Sequence, residues 1–243
     1  MIFRVLIALL FIAPFASAQQ APVAPKYDVS VELRCLSLPH ELGVSIVRKL
    51  QSPKPDDKAA GLEELDALLA KGTAILHGWP MVTMHNGLKG TAENIEEIRY
   101  ATGFEAGQLN RISNDQNGPS GLKQEQFVDG DVKPLATSFE TRNTGVTLEV
   151  EPIVREDGKS AELNFVAQHV RLQSIDRMTI EHENTTEKKV NKVIQEQPRF
   201  ATMKVMTAEE MKNGEQRLVG LFTVPGGQKL LELFLLRLEI HAN

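Results

Sequence analysis

Cysteine is almost missing from this 243-residue chain: Cys35 is the only one. Neither an intramolecular disulfide framework nor a zinc site built on cysteines can be assembled within it. Aromatic residues make up only 5%, with Trp79 the sole tryptophan. Charge of one sign is not in excess either. Lys and Arg number 27 against 32 Asp and Glu, a formal charge of -5, which excludes a strongly basic nucleic-acid binder. Long apolar runs are confined to the N-terminus, because the stretch from Leu230 to Ile240 is interrupted by Glu232, Arg237 and Glu239 and is too short for a membrane helix. Motifs of chemistry are lacking too. There is no GxSxG, no phosphate-cradling P-loop, no dinucleotide fingerprint and no HExxH. What remains is 42% hydrophobic residues, enough for a folded core and incompatible with disorder throughout.

Arg4 precedes the apolar run Val5 to Ala13, and Ala16-Ser17-Ala18 follows. A basic start, an apolar core and a small-x-small site are the layout of a secretory signal peptide, with cleavage after Ala18. Residues 1–18 are therefore expected to be the signal, residues 19–26 a Pro-containing flexible leader, and residues 27–243 the folded domain. No transmembrane helix is expected in the mature chain.

Tyr27 to Leu38 alternates Val29, Val31, Leu33 and Cys35 against Ser30, Glu32 and Arg34, the period of a half-buried strand. Cys35 falls on the apolar side and reads as a small buried hydrophobe. Pro39 opens a helix that ends near Gln51, before Ser52-Pro53-Lys54-Pro55. Asp56 and Asp57 are placed to cap a second helix, whose Leu62, Leu65, Leu68 and Leu69 form a stripe expected to dock on a sheet, and Gly72 is placed to end it. Strands follow at Thr73 to His77 and Pro80 to His85, then Asn86-Gly87, read as a hairpin turn, and a longer run ending at Thr102. Between Glu105 and Leu135 apolar residues thin out among glycines and asparagines, the composition of an extended loop.

The second half reads as strands from Thr137 to Val154 and Lys159 to Leu172, joined at Asp157-Gly158, an Asp-Gly hairpin. Val146, Leu148 and Val150 share one face, as do Leu163, Phe165 and Ala167. The polar stretch Ile175 to Gln197 is compatible with either strand or helix. Phe200 to Met206, Glu215 to Val224 and Lys229 to His241 complete the pattern, with turns at Asn213-Gly214 and Pro225-Gly226-Gly227. The last strand is apolar on both faces, which predicts a central position in its sheet. The fold class expected is α+β and β-rich, antiparallel hairpins and sheet with two short helices near the N-terminus.

No residue is nominated as catalytic, cofactor-binding or metal-ligating. The six histidines, at 40, 77, 85, 169, 182 and 241, have no metal-ligand spacing, although His77 and His85 could meet across a hairpin. Glu93, Glu96 and Glu97 near Arg99, and Glu181, Glu183 and Glu187 near Lys188 and Lys189, read as solvated faces.

Four stretches, in order, resemble the secretin family, ring-forming outer-membrane proteins of type II and type III secretion and type IV pilus machines. They are Lys71-Gly72-Thr73-Ala74-Ile75-Leu76 with Trp79-Pro80 and Asn86-Gly87; Thr144 to Pro152 with Asp157-Gly158 and Leu163-Asn164; Asn213-Gly214-Glu215-Gln216 through Leu221; and the closing strand Leu233 to Ile240. The family's Pro-x-Leu-Gly segment before the closing strand is replaced by the short connection Phe222 to Lys229, and the family's small N-terminal ring domains have no counterpart, so the resemblance is to a truncated secretin domain. It implies an exported, non-enzymatic protein of the periplasm or outer membrane of a Gram-negative-type bacterium. Its partners would be protein, either copies of itself joined through strand edges or other secretion or pilus components, with no cofactor and no nucleic acid. A second reading is a periplasmic or surface ligand-binding β-sandwich whose 105–135 loop carries recognition. A third, a hydrolase using Glu or His, lacks any supporting motif.

Overall fold

The computed structural model describes residues 26–105, 135–184, 189–224 and 229–242. It is α+β and β-rich, with two antiparallel sheets and two helices. Strand β1 (Tyr27–Pro39) pairs along its whole length with the last strand, β9 (Leu230–Ala242), from Tyr27 opposite Ala242 to Pro39 opposite Leu230. On the other side of β1 lie two short strands, β2 (Ile75–Gly78) at Cys35 to Ser37 and β3 (Met81–His85) at Asp28 to Glu32. β8 (Gln216–Thr223) closes this first sheet beyond β9. The second sheet runs β4 (Gly90–Glu105), β5 (Leu135–Val154), β6 (Ser160–Asn184) and β7 (Lys189–Lys212), in that order.

Alternation explains the layers. Val29, Val31, Leu33, Phe234, Leu236 and Leu238 of the first sheet pack against Val146, Leu148, Val150, Leu163, Phe165 and Ala167 of the second. Each valine, leucine or phenylalanine among them contributes about 1.5–3 kcal/mol when fully buried. Because β9 is apolar at odd as well as even positions, its Leu231, Leu233 and Leu235 serve the opposite face, where Leu36, Leu38 and helix α1 (His40–Leu50) meet them. Alternation lets β1 feed both cores, Val29 to Cys35 at odd positions on one face and Leu36 and Leu38 at even positions on the other. β9 is thus central and buried on both faces, as its composition predicts.

Helix α2 (Pro55–Ala70) corrects one expectation. Asp56 and Asp57 do not cap it; the chain enters at Lys54 with Pro55 in the first turn, and both aspartates lie in that first turn, where they favour the positive end of the helix. The leucine stripe packs into the core that α1 shares with β1 and β9 of the first sheet, and Asp66 accepts from Arg34 of β1 at 2.6 Å. Leu65 is fully buried against α1, with Leu62, Leu68 and Leu69 at the margin of the same core. Gly72 ends the helix with φ of 70°, as expected.

Asn86-Gly87 is a turn but not a hairpin. β3 pairs with β1 and β4 with β5, so this turn carries the chain from the first sheet to the second. Asn213-Gly214 carries it back, from β7 to β8. The Asp157-Gly158 hairpin stands as read, with Gly158 at φ 68° and Asp157 Oδ1 accepting from Lys159 N–H. The described residues of Ile175 to Gln197, a stretch whose pattern fits strand or helix, belong to β6 up to Asn184 and to β7 from Lys189. Residues 106–134, the expected loop, and the turn at residues 225–227 lie outside the described residues.

Candidate functional site

The second sheet is built from strands far longer than its core requires. β5, β6 and β7 have 20, 25 and 24 residues, where globular proteins usually use 3–10. Only the lower part is a four-stranded sheet, since pairing between β5 and β6 stops at Gly145 opposite Val170. Above it the sheet splits into two hairpin arms, β4 with β5 and β6 with β7, roughly 30 Å and 45 Å long at a strand rise of about 3.3 Å per residue.

Gly145 sits at the fork. Its φ is +111°, and a Cβ there would fall 2.1 Å from Asn94 O, so only glycine permits this backbone path.

In the lower parts of β5 and β6, from Val146 to Pro152 and from Ala161 to His169, every second residue is buried; on the arms that rhythm ends. Residues 137–143 of β5 and 172–178 of β6 are all exposed, on both faces. Apolar Phe139, Leu172, Ile175 and Met178 are among them. An isolated two-stranded ribbon is marginal in water. Some support comes from cross-strand ion pairs, Arg177 Nε to Glu196 Oε1 at 2.9 Å and Arg199 Nε to Asp176 Oδ2 at 2.6 Å. The arms also touch each other: the rings of Tyr100 (β4) and Phe200 (β7) lie 5.7 Å apart. Between them is a groove of about 720 Å³ walled by Ile98, Tyr100, Leu172, Ile175 and Pro198.

Both outer strands of this sheet are edges. Among the described residues β4 pairs only with β5, and β7 only with β6. Each edge presents a row of backbone N–H and C=O groups suited to another strand. With four antiparallel strands, β4 and β7 run in opposite directions, so β7 of one copy beside β4 of the next continues the antiparallel ladder.

A buried polar cluster joins the two sheets near the fork. Glu232 of β9 is fully buried; its Oε1 accepts from His169 Nδ1 of β6 at 2.7 Å and from Cys35 Sγ of β1 at 3.6 Å. His77 of β2 stacks on His169, ring centroids 4.8 Å apart, and its Nε2 lies 2.9 Å from Ser37 Oγ. Burial, reinforced by the Glu232 carboxylate, pushes the Cys35 thiol far above the ordinary thiol range, making it unreactive. Burial, then the neighbouring His169, holds His77 below the usual histidine value.

His77 and His85 do not meet, because β2 and β3 lie at different places along β1; His85 Nδ1 pairs with Asp28 Oδ1 instead. Glu93, Glu96, Glu97 and Arg99 are exposed on β4, as read. The side chains of residues 181–189 lie outside the described ones.

The Cys35, His169, Glu232 cluster has no counterpart in the sequence reading. Its members are up to 197 positions apart and share no motif. The signal that existed was Glu232 itself, a carboxylate inside a strand apolar on both faces.

No family model matches the chain, and no curated protein matches it. Solved structures that it is similar to include secretins. The Salmonella SPI-1 type III secretion injectisome secretin InvG shares 12% identity at a TM-score of 0.41, over 91% of this chain and 66% of that one. The Vibrio cholerae type IV competence pilus secretin PilQ shares 10% at 0.40, over 90% and 62%. Aeromonas hydrophila ExeD shares 12% at 0.38, over 89% and 48%. The chain thus spans between about half and two thirds of these proteins, and identity this low carries no residue roles across.

Proposed function

We propose that this chain is a non-enzymatic, exported assembly subunit that joins copies of itself edge to edge through the β4–β7 sheet, in the periplasm or outer membrane, as part of a secretion or pilus apparatus. The observation that carries this reading is the pair of hairpin arms. Residues 137–143 and 172–178 are exposed on both faces and carry apolar side chains there, and among the described residues the outer strands β4 and β7, of opposite direction, pair with no strand on their outer sides. A head-to-tail contact of this kind repeats from copy to copy and closes into a ring if the rotation allows. Closure would cover the edges that a lone subunit leaves open. The N-terminal signal layout and the four secretin-like stretches support the address and the apparatus. Among the described residues no helix is long and apolar enough to cross a membrane, so contact with the outer membrane would be made by strands.

Light scattering of the purified protein, with and without detergent, together with negative-stain imaging, tests this reading. Rings or large defined oligomers are expected. A monomer at every concentration and in every detergent would overturn it.

A further inference from the structure

We infer that Cys35, His169 and Glu232 form a buried binding site for one transition-metal cation of the zinc type, clamping the two sheets together. The three side chains offer a sulfur, an imidazole nitrogen and a carboxylate oxygen, all within 4.8 Å of one another and all buried. This is a donor set zinc takes, at about 2.0–2.3 Å from each atom in a tetrahedral arrangement, so that two ligands of one ion lie about 3.6 Å apart. The widest pair must close by about 1 Å when the ion binds.

A second observation points at a ligand. Glu232 Oε2 is buried and has no hydrogen-bond partner in the protein. An unpaired carboxylate oxygen in an interior is costly, and a cation held by this carboxylate would satisfy it, with Oε2 available as a fourth donor atom. The charges also balance. A divalent ion with one thiolate and one carboxylate is neutral overall, which suits a site with no solvent. On binding, metal bonds replace the two hydrogen bonds to Oε1; the thiol proton passes to buffer, and the proton on His169 Nδ1 leaves that nitrogen, so that His169 binds through Nδ1 as the neutral imidazole protonated at Nε2. His77, stacked on His169 and bonded to Ser37, fixes the plane of that ring.

The ligands come from β1 and β9 of the first sheet and from β6 of the second. They lie where β6 leaves the sandwich for its arm, one residue below the last β5–β6 pair. A metal there would anchor the base of the fork.

The purified protein, stripped with chelator and dialysed against micromolar Zn²⁺, should retain one equivalent per chain by elemental analysis. It should also melt higher than the stripped form. Co²⁺ in place of Zn²⁺ should give the near-ultraviolet charge-transfer band of a cobalt thiolate. Cys35 is the only cysteine, so that band reports this site even without a variant. Cys35→Val, which keeps a small buried apolar group, should abolish both band and stoichiometric zinc, whereas His85→Ala should change neither. Retention of less than a tenth of an equivalent, a cobalt spectrum without the thiolate band, or a folded Cys35→Val protein that still holds one zinc would overturn the inference. None of these readouts depends on oligomer formation, so failure here and failure of edge-to-edge assembly are separable.

Discussion

Asn86 and Asn213 occupy equivalent places, each in the Asn-Gly step at which the chain changes sheets, and each ties that step to a strand by its side chain. Asn86 Oδ1 accepts from Val154 N–H at 2.8 Å, while Asn213 accepts from Ile240 N–H at 2.9 Å and donates to Ile240 O at 3.3 Å. The glycines that follow have φ of 79° and 76°. Removing either side chain strands backbone groups in partly buried surroundings, at a cost of about 1–3 kcal/mol for each unsatisfied group. Asn213→Ala is expected to destabilise more than Asn86→Ala, since it breaks two bonds and not one. Urea unfolding of the two variants measures the difference.

Gly145→Ala tests the fork. With φ at +111° and Asn94 O lying 2.1 Å from the added Cβ, the backbone must move, and a loss of about 3 kcal/mol or more is expected from strain plus a displaced β4. Gly72→Ala is the control. Its φ of +70° brings the same kind of conformational penalty, but nothing lies within 4 Å, so a loss of about 1 kcal/mol is expected. Equal losses in thermal unfolding would contradict the close approach at Gly145.

The His169 and Glu232 pair should behave as a buried pair. Replacing either one alone, by His169→Leu or Glu232→Leu, leaves the other without its partner and should cost about 3–5 kcal/mol. Replacing both should recover much of that loss, because packing takes the place of the bond. Chemical denaturation of the metal-stripped single and double variants gives the coupling energy directly.

His77 sets a pH dependence. Its folded-state value lies below the ordinary 6.5 because of burial and then of His169, so the unfolded chain takes up a proton first as pH falls. Stability from this residue is fully present above about pH 6.5 and is lost as pH drops through the folded value. His77→Gln should flatten that part of the stability profile of the metal-stripped protein, measured between about pH 7 and 5. An unchanged slope would contradict it.

Much of the fold was legible because burial imposes a period. The alternation around Val29 to Cys35, the two faces of β9 and the Asp157-Gly158 hairpin follow from local pattern alone. Pairing partners were less legible. An Asn-Gly step enforces a tight turn but does not say whether the next strand lies beside the last one or in the other sheet, so Asn86-Gly87 was read as a hairpin. Ile175 to Gln197 is ambiguous in sequence because its described side chains from Ile175 to Met178 are exposed on both faces and show no apolar alternation. The Cys35, His169, Glu232 cluster was invisible because three separate strands bring it together; only the carboxylate of Glu232 in an apolar strand betrayed it.

Edge-to-edge joining is tested most directly by disulfide trapping. Thr91, Glu149, Val166 and Met206 form one row across the sheet, so Thr91 and Met206 of one chain lie three strand spacings, about 14 Å, apart, beyond the reach of a disulfide. Thr91→Cys combined in turn with Cys at Thr202, Lys204, Met206 and Ala208 scans the register between copies, and buried Cys35 does not interfere. The account predicts that at least one combination, on mild oxidation, gives a ladder of dimers, trimers and larger species on a denaturing gel without reductant, and that neither single-site variant extends beyond dimer. Monomer alone for all four combinations would contradict it.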